Sequence, residues 1–320
     1  MARLSEKYIA GFLDSDGCVS AVWRDPVRNN PNPEQKRLYL SLEFTQKTSQ
    51  DEVLHRIQER IGGKITSQKD GYASCLRIFG KQAVMVLNRI QKHLVIKRRY
   101  IGVLLEMEGK IHNVEEAKRF LKEQRKIQTY PLPNYPTRAW MAGYIDGDGC
   151  FHAVMNHGRD QVVVKLEIAC CDYDDEGLRL IQKVFGGRLR PMNGREWLHK
   201  LTIDLVPSKA KKLINYIRSH LIIKKEQALF VLGCAEMGNY RDGKNIKSAL
   251  KQLKSQPHRL SEPRLDAAHF LKGIERITFD REIHRAAFEK SGCKVCGGKK
   301  HCCQGLCKKC YDRQRNQVKR

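Results

Sequence analysis

Two acidic blocks 132 residues apart carry the strongest chemical signal in the chain. They are Tyr8-Ile9-Ala10-Gly11-Phe12-Leu13-Asp14-Ser15-Asp16-Gly17-Cys18 and Trp140-Met141-Ala142-Gly143-Tyr144-Ile145-Asp146-Gly147-Asp148-Gly149-Cys150. Each reads as an apolar helix that stops at its glycine with carboxylates in the last turn. The small residues Ala10-Gly11 and Ala142-Gly143 let two such helices pack backbone to backbone across a pseudo-twofold axis. Their C-terminal ends then set Asp16 beside Asp148. Two carboxylates at two negative helix ends repel, and one takes up a proton unless a cation intervenes. A hard divalent ion, Mg2+ for preference, satisfies such oxygen ligands. Held between paired carboxylates on a basic protein, it suits phosphodiester hydrolysis: it activates water and stabilises the leaving oxygen. An Asp-x-Asp-Gly turn with no ligand is the plainer reading of either block alone. The duplication argues against it.

Further blocks recur in the same order. Leu40-Ser41-Leu42-Glu43-Phe44 matches Val164-Lys165-Leu166-Glu167-Ile168, and Ile61-Gly62-Gly63-Lys64 matches Phe185-Gly186-Gly187-Arg188. His93-Leu94-Val95-Ile96-Lys97-Arg98 matches His220-Leu221-Ile222-Ile223-Lys224-Lys225. The chain therefore contains two copies of one unit. Thr129-Tyr130-Pro131-Leu132-Pro133-Asn134-Tyr135-Pro136 has three prolines in six residues and reads as an extended connector. The expected organisation is a first repeat over 1–128, a linker over 129–136 and a second repeat over 137–240. A basic helical extension over 241–292 and a cysteine-rich tail over 293–320 follow.

The periodicity within each copy places these blocks on elements. Leu38, Leu40, Leu42 and Phe44 alternate with Arg37, Tyr39, Ser41 and Glu43, as do Val164, Leu166 and Ile168 with Lys165 and Glu167. That is the pattern of a strand with one buried face. Residues 51–61 have helical spacing at Val53, Leu54, Ile57 and Ile61. Residues 72–79 and 198–205 read as strands, and 81–93 and 207–220 as helices. Each copy is thus α-β-β-α-β-β-α, an α+β domain whose helices cover one face of an antiparallel sheet. The other, polar face is left for a partner.

The balance of charge says which partner. Sixty Lys and Arg against 35 Asp and Glu give +25 over 320 residues, and a polyanion is the natural counterpart. Residues 241–320 hold 21 Lys/Arg and 8 Asp/Glu, yet the first 240 still carry about half of the excess. With 41% hydrophobic residues, intrinsic disorder is excluded; with no apolar run of the length a spanning helix needs, so is a membrane-spanning protein. Because a helix begins directly after Met1-Ala2-Arg3, no targeting segment is expected. The site of action would be the cytoplasm of a bacterium or phage-infected cell, or the organelle that encodes the chain.

The two blocks resemble the LAGLIDADG motif, and residues 4–235 resemble a single-chain, two-repeat LAGLIDADG homing endonuclease. That resemblance implies two four-stranded sheets forming a saddle astride double-stranded DNA, with the motif helices at the interface of a monomer. It implies catalytic metal held by Asp16 and Asp148, helped by the carbonyls of Ser15 and Gly147, and cleavage that leaves short 3′ overhangs. Gln46 matches the family's water-organising glutamine. The corresponding place in the second copy is Cys170, a poor substitute for an amide, so the two strands are expected to be cut unequally. Lys97 and Lys224 match the basic residue near the scissile phosphate, placed to polarise water or stabilise developing charge. Base reading would fall to outward strand positions: Ser20, Val22, Arg24, Arg37, Tyr39, Ser41 and Arg77 in copy one, and His152, Asn156, Lys165, Arg190 and Lys200 in copy two. A β-ribbon fits the major groove, and the differences between the copies predict an asymmetric target.

Six of the twelve cysteines lie between Cys293 and Cys310; Cys18, Cys75, Cys150, Cys170, Cys171 and Cys234 read as buried thiols. Cys293-x-x-Cys296 and Cys307-x-x-Cys310 have the spacing of a structural Zn2+ site, with His301, Cys302 and Cys303 as alternative ligands. Such a tail resembles small zinc fingers that add DNA contact, and a protein-docking knuckle is the alternative. Competing readings of the whole are an RNA maturase acting on intron RNA and a nuclease-dead DNA-binding regulator. The presence of both Asp16 and Asp148 disfavours each.

Overall fold

A computed structural model of the chain describes residues 4–26, 31–68, 71–126, 135–156, 161–170, 175–192, 195–237, 243–256, 266–272, 274, 301–303 and 306–307. The first repeat runs α1 (Glu6–Asp14), β1 (Gly17–Arg24), β2 (Gln35–Lys47), α2 (Glu52–Ile61), β3 (Lys64–Ser67), β4 (Ala73–Phe79) and α3 (Lys81–Ile90). It continues through α4 (Arg98–Met107), β5 (Ile111–Asn113) and α5 (Val114–Lys126). The second runs α6 (Arg138–Asp148), β6 (Gly149–Asn156), β7 (Gln161–Cys170), α7 (Glu176–Phe185), β8 (Arg188–Met192), β9 (Arg195–Asp204) and α8 (Pro207–Ile217). Then come α9 (Lys225–Glu236) and α10 (Gly243–Ser255), and a short pair, β10 (His301–Cys303) and β11 (Leu306–Cys307).

Both repeats follow the same strand order, β1-β2-β4-β3 and β6-β7-β9-β8, all antiparallel; β5 adds to β2. Register is preserved between them: Gly17 lies opposite Phe44, and Gly149 opposite Ile168. The alternation explains this, because a slip of one residue would turn Leu38, Leu40, Leu42 and Phe44 from the core to solvent. All four are completely buried, as are Val164, Leu166 and Ile168. Each such side chain contributes about 1.5–3 kcal/mol on burial. Helix α2 turns Val53, Leu54, Ile57 and Ile61 onto its sheet, as its spacing predicts. The duplicated Gly-Gly pairs give φ of 77° and 101° at 62–63 and 70° and 114° at 186–187. Any side chain would be strained in that left-handed turn between helix and strand.

The two motif helices meet as their small residues require. A Cβ on Gly11 would lie 1.9 Å from the Trp140 carbonyl oxygen, and one on Gly143 would lie 2.2 Å from that of Tyr8. Only glycine permits this approach. Both helices start on equivalent caps, with Ser5 Oγ accepting from the Tyr8 amide at 3.2 Å and Thr137 Oγ1 from Trp140 at 3.3 Å. Such a cap stabilises a helix by about 1 kcal/mol. The described part of the extension packs on the second repeat: α10 buries Ile246, Ala249, Leu250 and Leu253 and lies against α9 and β6. Leu271 reaches the surface of α9 that Gly233 leaves open. Among the described residues no helix is long and apolar enough to cross a membrane.

Candidate active site

The first acid of each motif is a structural anchor. Asp14 is buried and accepts from the backbone amides of Val95 and Lys97 at 2.7 and 2.9 Å. Asp146 does the same with Ile222 and Lys224 at 2.7 and 2.8 Å. Each carboxylate thereby sits at the positive end of the following helix, α4 or α9. A third donor comes from the opposite repeat: Trp140 Nε1 to Asp14 at 2.8 Å and Tyr8 hydroxyl to Asp146 at 2.7 Å. Burial raises both carboxyl pKa values, opposed by these donors, and it pushes the Tyr8 hydroxyl well up. This crossed pair locks the repeats together. Sequence reasoning missed it, although the aromatic at the same place in both blocks was the available signal.

The anchored segments then deliver a lysine to each motif end. Lys97 Nζ donates to the carbonyls of Leu13, Asp14, Ser15 and Gly17 at 2.7, 3.2, 3.2 and 2.7 Å. Lys224 Nζ donates to those of Ile145 and Gly147 at 2.8 and 2.9 Å, and to that of Asp146. The family resemblance places these lysines near the phosphate. Here each ammonium turns to carbonyls at the end of its motif helix, which that helix leaves unpaired. Lys224 is buried deeply enough that its pKa is lowered, while Asp146, Asp16 and Asp148 all act to retain its proton.

Asp16 and Asp148 come together at the end of this packed pair. A Cβ on Gly147 would fall 2.0 Å from Ser15 Oγ and 3.2 Å from the Asp16 amide. Gln46, on the helix-side face of β2, donates its amide to the Asp16 carboxylate. Burial raises the Asp16 pKa against the opposing pull of Lys224, Lys97 and Gln46. In the second repeat Cys170 occupies the Gln46 place and is buried beside the Tyr144 hydroxyl, where Phe12 stands in the first. Burial, Cys170 and Asp148 push the Tyr144 pKa well up. Gln46 and Cys170 thus give the two halves different groups at one equivalent place.

The donors at the junction fit a hard divalent cation. Two carboxylates and the Ser15 and Gly147 carbonyls supply oxygen alone, and each carbonyl bonded to a lysine keeps a second lone pair. A carboxyl whose burial favours protonation gains from a neighbouring cation. Among the described residues no group of three or more His, Cys, Asp or Glu is assembled for metal binding, so carbonyl oxygens would have to complete the set.

The sheet faces opposite the helices carry the remaining candidates. Arg24 stacks its guanidinium over Phe79 and Tyr39, 4.4 and 5.7 Å from the ring centroids. Arg37 lies opposite Arg24, Val22 opposite Tyr39 and Ser20 opposite Ser41. Ser41 departs from expectation: it is only 3% exposed and donates to Glu43 at 2.9 Å. Glu43 also pairs with Arg77 at 3.0 Å. In the second repeat Glu167 holds Lys200 at 3.2 Å and His152 at 3.8 Å, and Asp204 holds Lys165 at 3.7 Å. Arg190 is exposed on β8, and Asn156 ends β6 opposite Gln161. Arg77, His152, Lys165 and Lys200 are thus engaged by acids of their own sheet face, Glu43 in the first repeat and Glu167 and Asp204 in the second.

The thiols divide differently from the expectation. Cys75, Cys170 and Cys234 are buried, but Cys18 is exposed and Cys150 half-buried, because each follows the motif glycine on an outward strand position. A hydrogen bond from His152, then one from Lys254, lowers the Cys150 pKa to about 7. Cys171, Cys293, Cys296 and Cys310 lie outside the described residues; Cys307 forms part of β11.

Residues 141–236 match the family described as LAGLIDADG endonuclease. The DNA endonuclease I-CvuI of Chlorella vulgaris is 25% identical over 115 residues, 36% of this chain and 70% of that protein. The homing endonuclease I-GzeII, solved with its DNA target, superposes with a TM-score of 0.56 at 15% identity, covering 78% of this chain and 97% of that one. Meganuclease I-SmaMI bound to DNA gives 0.58 at 17% identity, covering 78% and 98%. I-SmaMI is also known bound to uncleaved DNA with calcium ions and to cleaved DNA. The chain has the fold of these LAGLIDADG homing endonucleases.

Proposed function

We propose that this chain is a LAGLIDADG homing endonuclease that acts as a monomer on a long asymmetric DNA duplex. It hydrolyses one phosphodiester bond per strand and leaves short 3′ overhangs. The observation that carries this reading is the junction itself. Two acid-ended helices pack so closely that position 147 touches Ser15 and Asp16, with Lys224 within the field of both Asp16 and Asp148. A basic sheet flanks each side.

The chain's own groups then divide the work. Asp16 and Asp148, with the Ser15 and Gly147 carbonyls, would hold divalent metal, Mg2+ for preference. When bound, it supplies charge stabilisation and an activated water. Gln46 orients solvent at the first carboxylate. Lys97 and Lys224 fix the motif ends and offset the negative helix termini, so that the acids stay ionised near one another. Arg24, Tyr39, Arg190 and the ion-paired cations of each face meet the duplex, where phosphate oxygens compete with Glu43, Glu167 and Asp204 for them. Zinc held by Cys293, Cys296, Cys307 and Cys310 rests on their spacing alone. It would fold the tail as a further DNA contact.

The test is cleavage of a randomised duplex library with Mg2+, run beside Asp16→Asn and Asp148→Asn. The parent protein should yield ends at one long asymmetric sequence. Each variant should lose double-strand cleavage by at least about 1000-fold while still binding the recovered duplex. Full cleavage by either variant would overturn the metal assignment. No cleavage, with salt-sensitive binding to structured intron RNA, would replace the endonuclease by the maturase.

A further inference from the structure

Helix α10 follows both repeats in sequence, yet its last turn ends where they meet. Its apolar stripe, Ile246, Ala249, Leu250 and Leu253, docks it against α9 and β6. That docking carries Lys254 to β6, where its Nζ stands 3.1 Å from Cys150 Sγ. Cys150 is an outward position of the sheet, two residues beyond Asp148. The Lys254 carbonyl accepts from Gln50 Nε2 of the first repeat at 3.4 Å. Gln50 lies four residues beyond Gln46. One residue therefore touches both halves at the level of the motif ends.

A lysine in the last turn of a helix needs no such partner to complement the helix dipole, because it does so equally well in solvent. This one is half-buried and directed at a sulfur. An ammonium has three N–H donors, and the Cys150 sulfur, which also accepts from His152, takes one of them. A phosphate would present several charged oxygens to the others. The second half also lacks the amide that Gln46 brings to the first, since Cys170 stands in its place and packs inward.

On the reading of the chain as a duplex endonuclease, we infer that Lys254 is a phosphate-contacting residue of the second cleavage half. Its ammonium leaves the Cys150 sulfur for a non-bridging oxygen of the DNA backbone at the phosphate cut beside Asp148. The half without a glutamine thus takes a cation from outside the repeat.

The experiment compares Lys254→Ala, Lys254→Arg and Cys150→Ser in the full chain. Binding to a random-sequence duplex of about 30 base pairs is followed in EDTA across a salt series. Losing one phosphate contact should reduce the slope of log K against log salt by about 0.9 in Lys254→Ala, and Lys254→Arg should restore it. Cys150→Ser, which keeps the lysine, should keep the slope. On the duplex recovered from the library, Lys254→Ala should slow nicking about 10-fold on the strand served by Asp148 and leave the other within about 2-fold. An unchanged slope would overturn the inference. So would equal slowing of both strands with a lowered Tm, the mark of a helix clamp. A parent protein that binds duplex and cuts none refutes the endonuclease reading instead, and the slope alone then decides the phosphate contact.

Discussion

The two ends of the molecule's pseudo-twofold junction are built alike at the backbone and unlike at the side chains beside the second motif acids. Asp14 and Asp146 accept equivalent amides, and Lys97 and Lys224 bind equivalent carbonyls. Around that shared frame Phe12 and Gln46 in one half become Tyr144 and Cys170 in the other. The polar group beside the motif acid moves from strand to helix, and its chemistry changes from an amide that can hold water to a buried hydroxyl. Frame residues bring two helices into backbone contact, where a side chain at Gly11 or Gly143 would collide with the other helix. On the proposed function, the groups above the frame are the ones that can differ in how each strand is cut.

Breaking the amide should expose this difference most strongly. Gln46→Ala removes the donor to Asp16 and is expected to slow cleavage of one strand by about 100-fold. Cys170→Ala should change the other strand by less than about 3-fold, since a buried thiol is only a weak hydrogen-bonding group. Strand-specific end labels on the cleaved duplex measure both. Equal losses would mean that the halves work as one unit.

Much of the fold was legible because it depends on local pattern. Alternation at Leu38–Phe44 and Val164–Ile168 set the strands and their registers, and the offset blocks revealed the duplication. The paired acids were legible for the same reason. The remaining features arise between residues far apart in the chain. The matched aromatics Tyr8 and Trp140 hint at a shared role without saying that each donates across to the other repeat, and nothing local tells that Glu43 and Glu167 will hold the basic side chains of each face or that Lys254 will return to β6. Ser41 shows the limit plainly. Its odd position in the strand assigns its face correctly, but its burial arises between strands, with Ser20 of β1 and Phe79 of β4 opposite it.

The frame itself should resist division more evenly than the catalytic groups do. Tyr8→Phe leaves Asp146 with its two backbone donors and one missing partner, a loss of about 1–3 kcal/mol. Trp140→Phe removes the matching donor to Asp14 and also volume from a completely packed site, so its loss should be the larger. Denaturant unfolding of the two variants measures this. A neutral Tyr8→Phe would mean that the crossed hydrogen bonds orient the repeats without stabilising them.

The smallest effect concerns pH, and it isolates one half. Asp16 has its folded pKa raised by burial above the ordinary 3.8. Between that value and its folded value the native state holds more protons than the unfolded chain, so stability falls as pH rises through this window. Asp16→Asn removes the burdened carboxylate. In EDTA at pH 7 the variant should therefore melt above the parent, and the gap should close as pH is lowered toward 3.8. Divalent metal should narrow the same gap at pH 7, because it stabilises only the ionised parent. A variant that melts below the parent at pH 7 would mean that Lys224, Lys97 and Gln46 outweigh burial at this carboxylate, leaving it ionised without help from a metal.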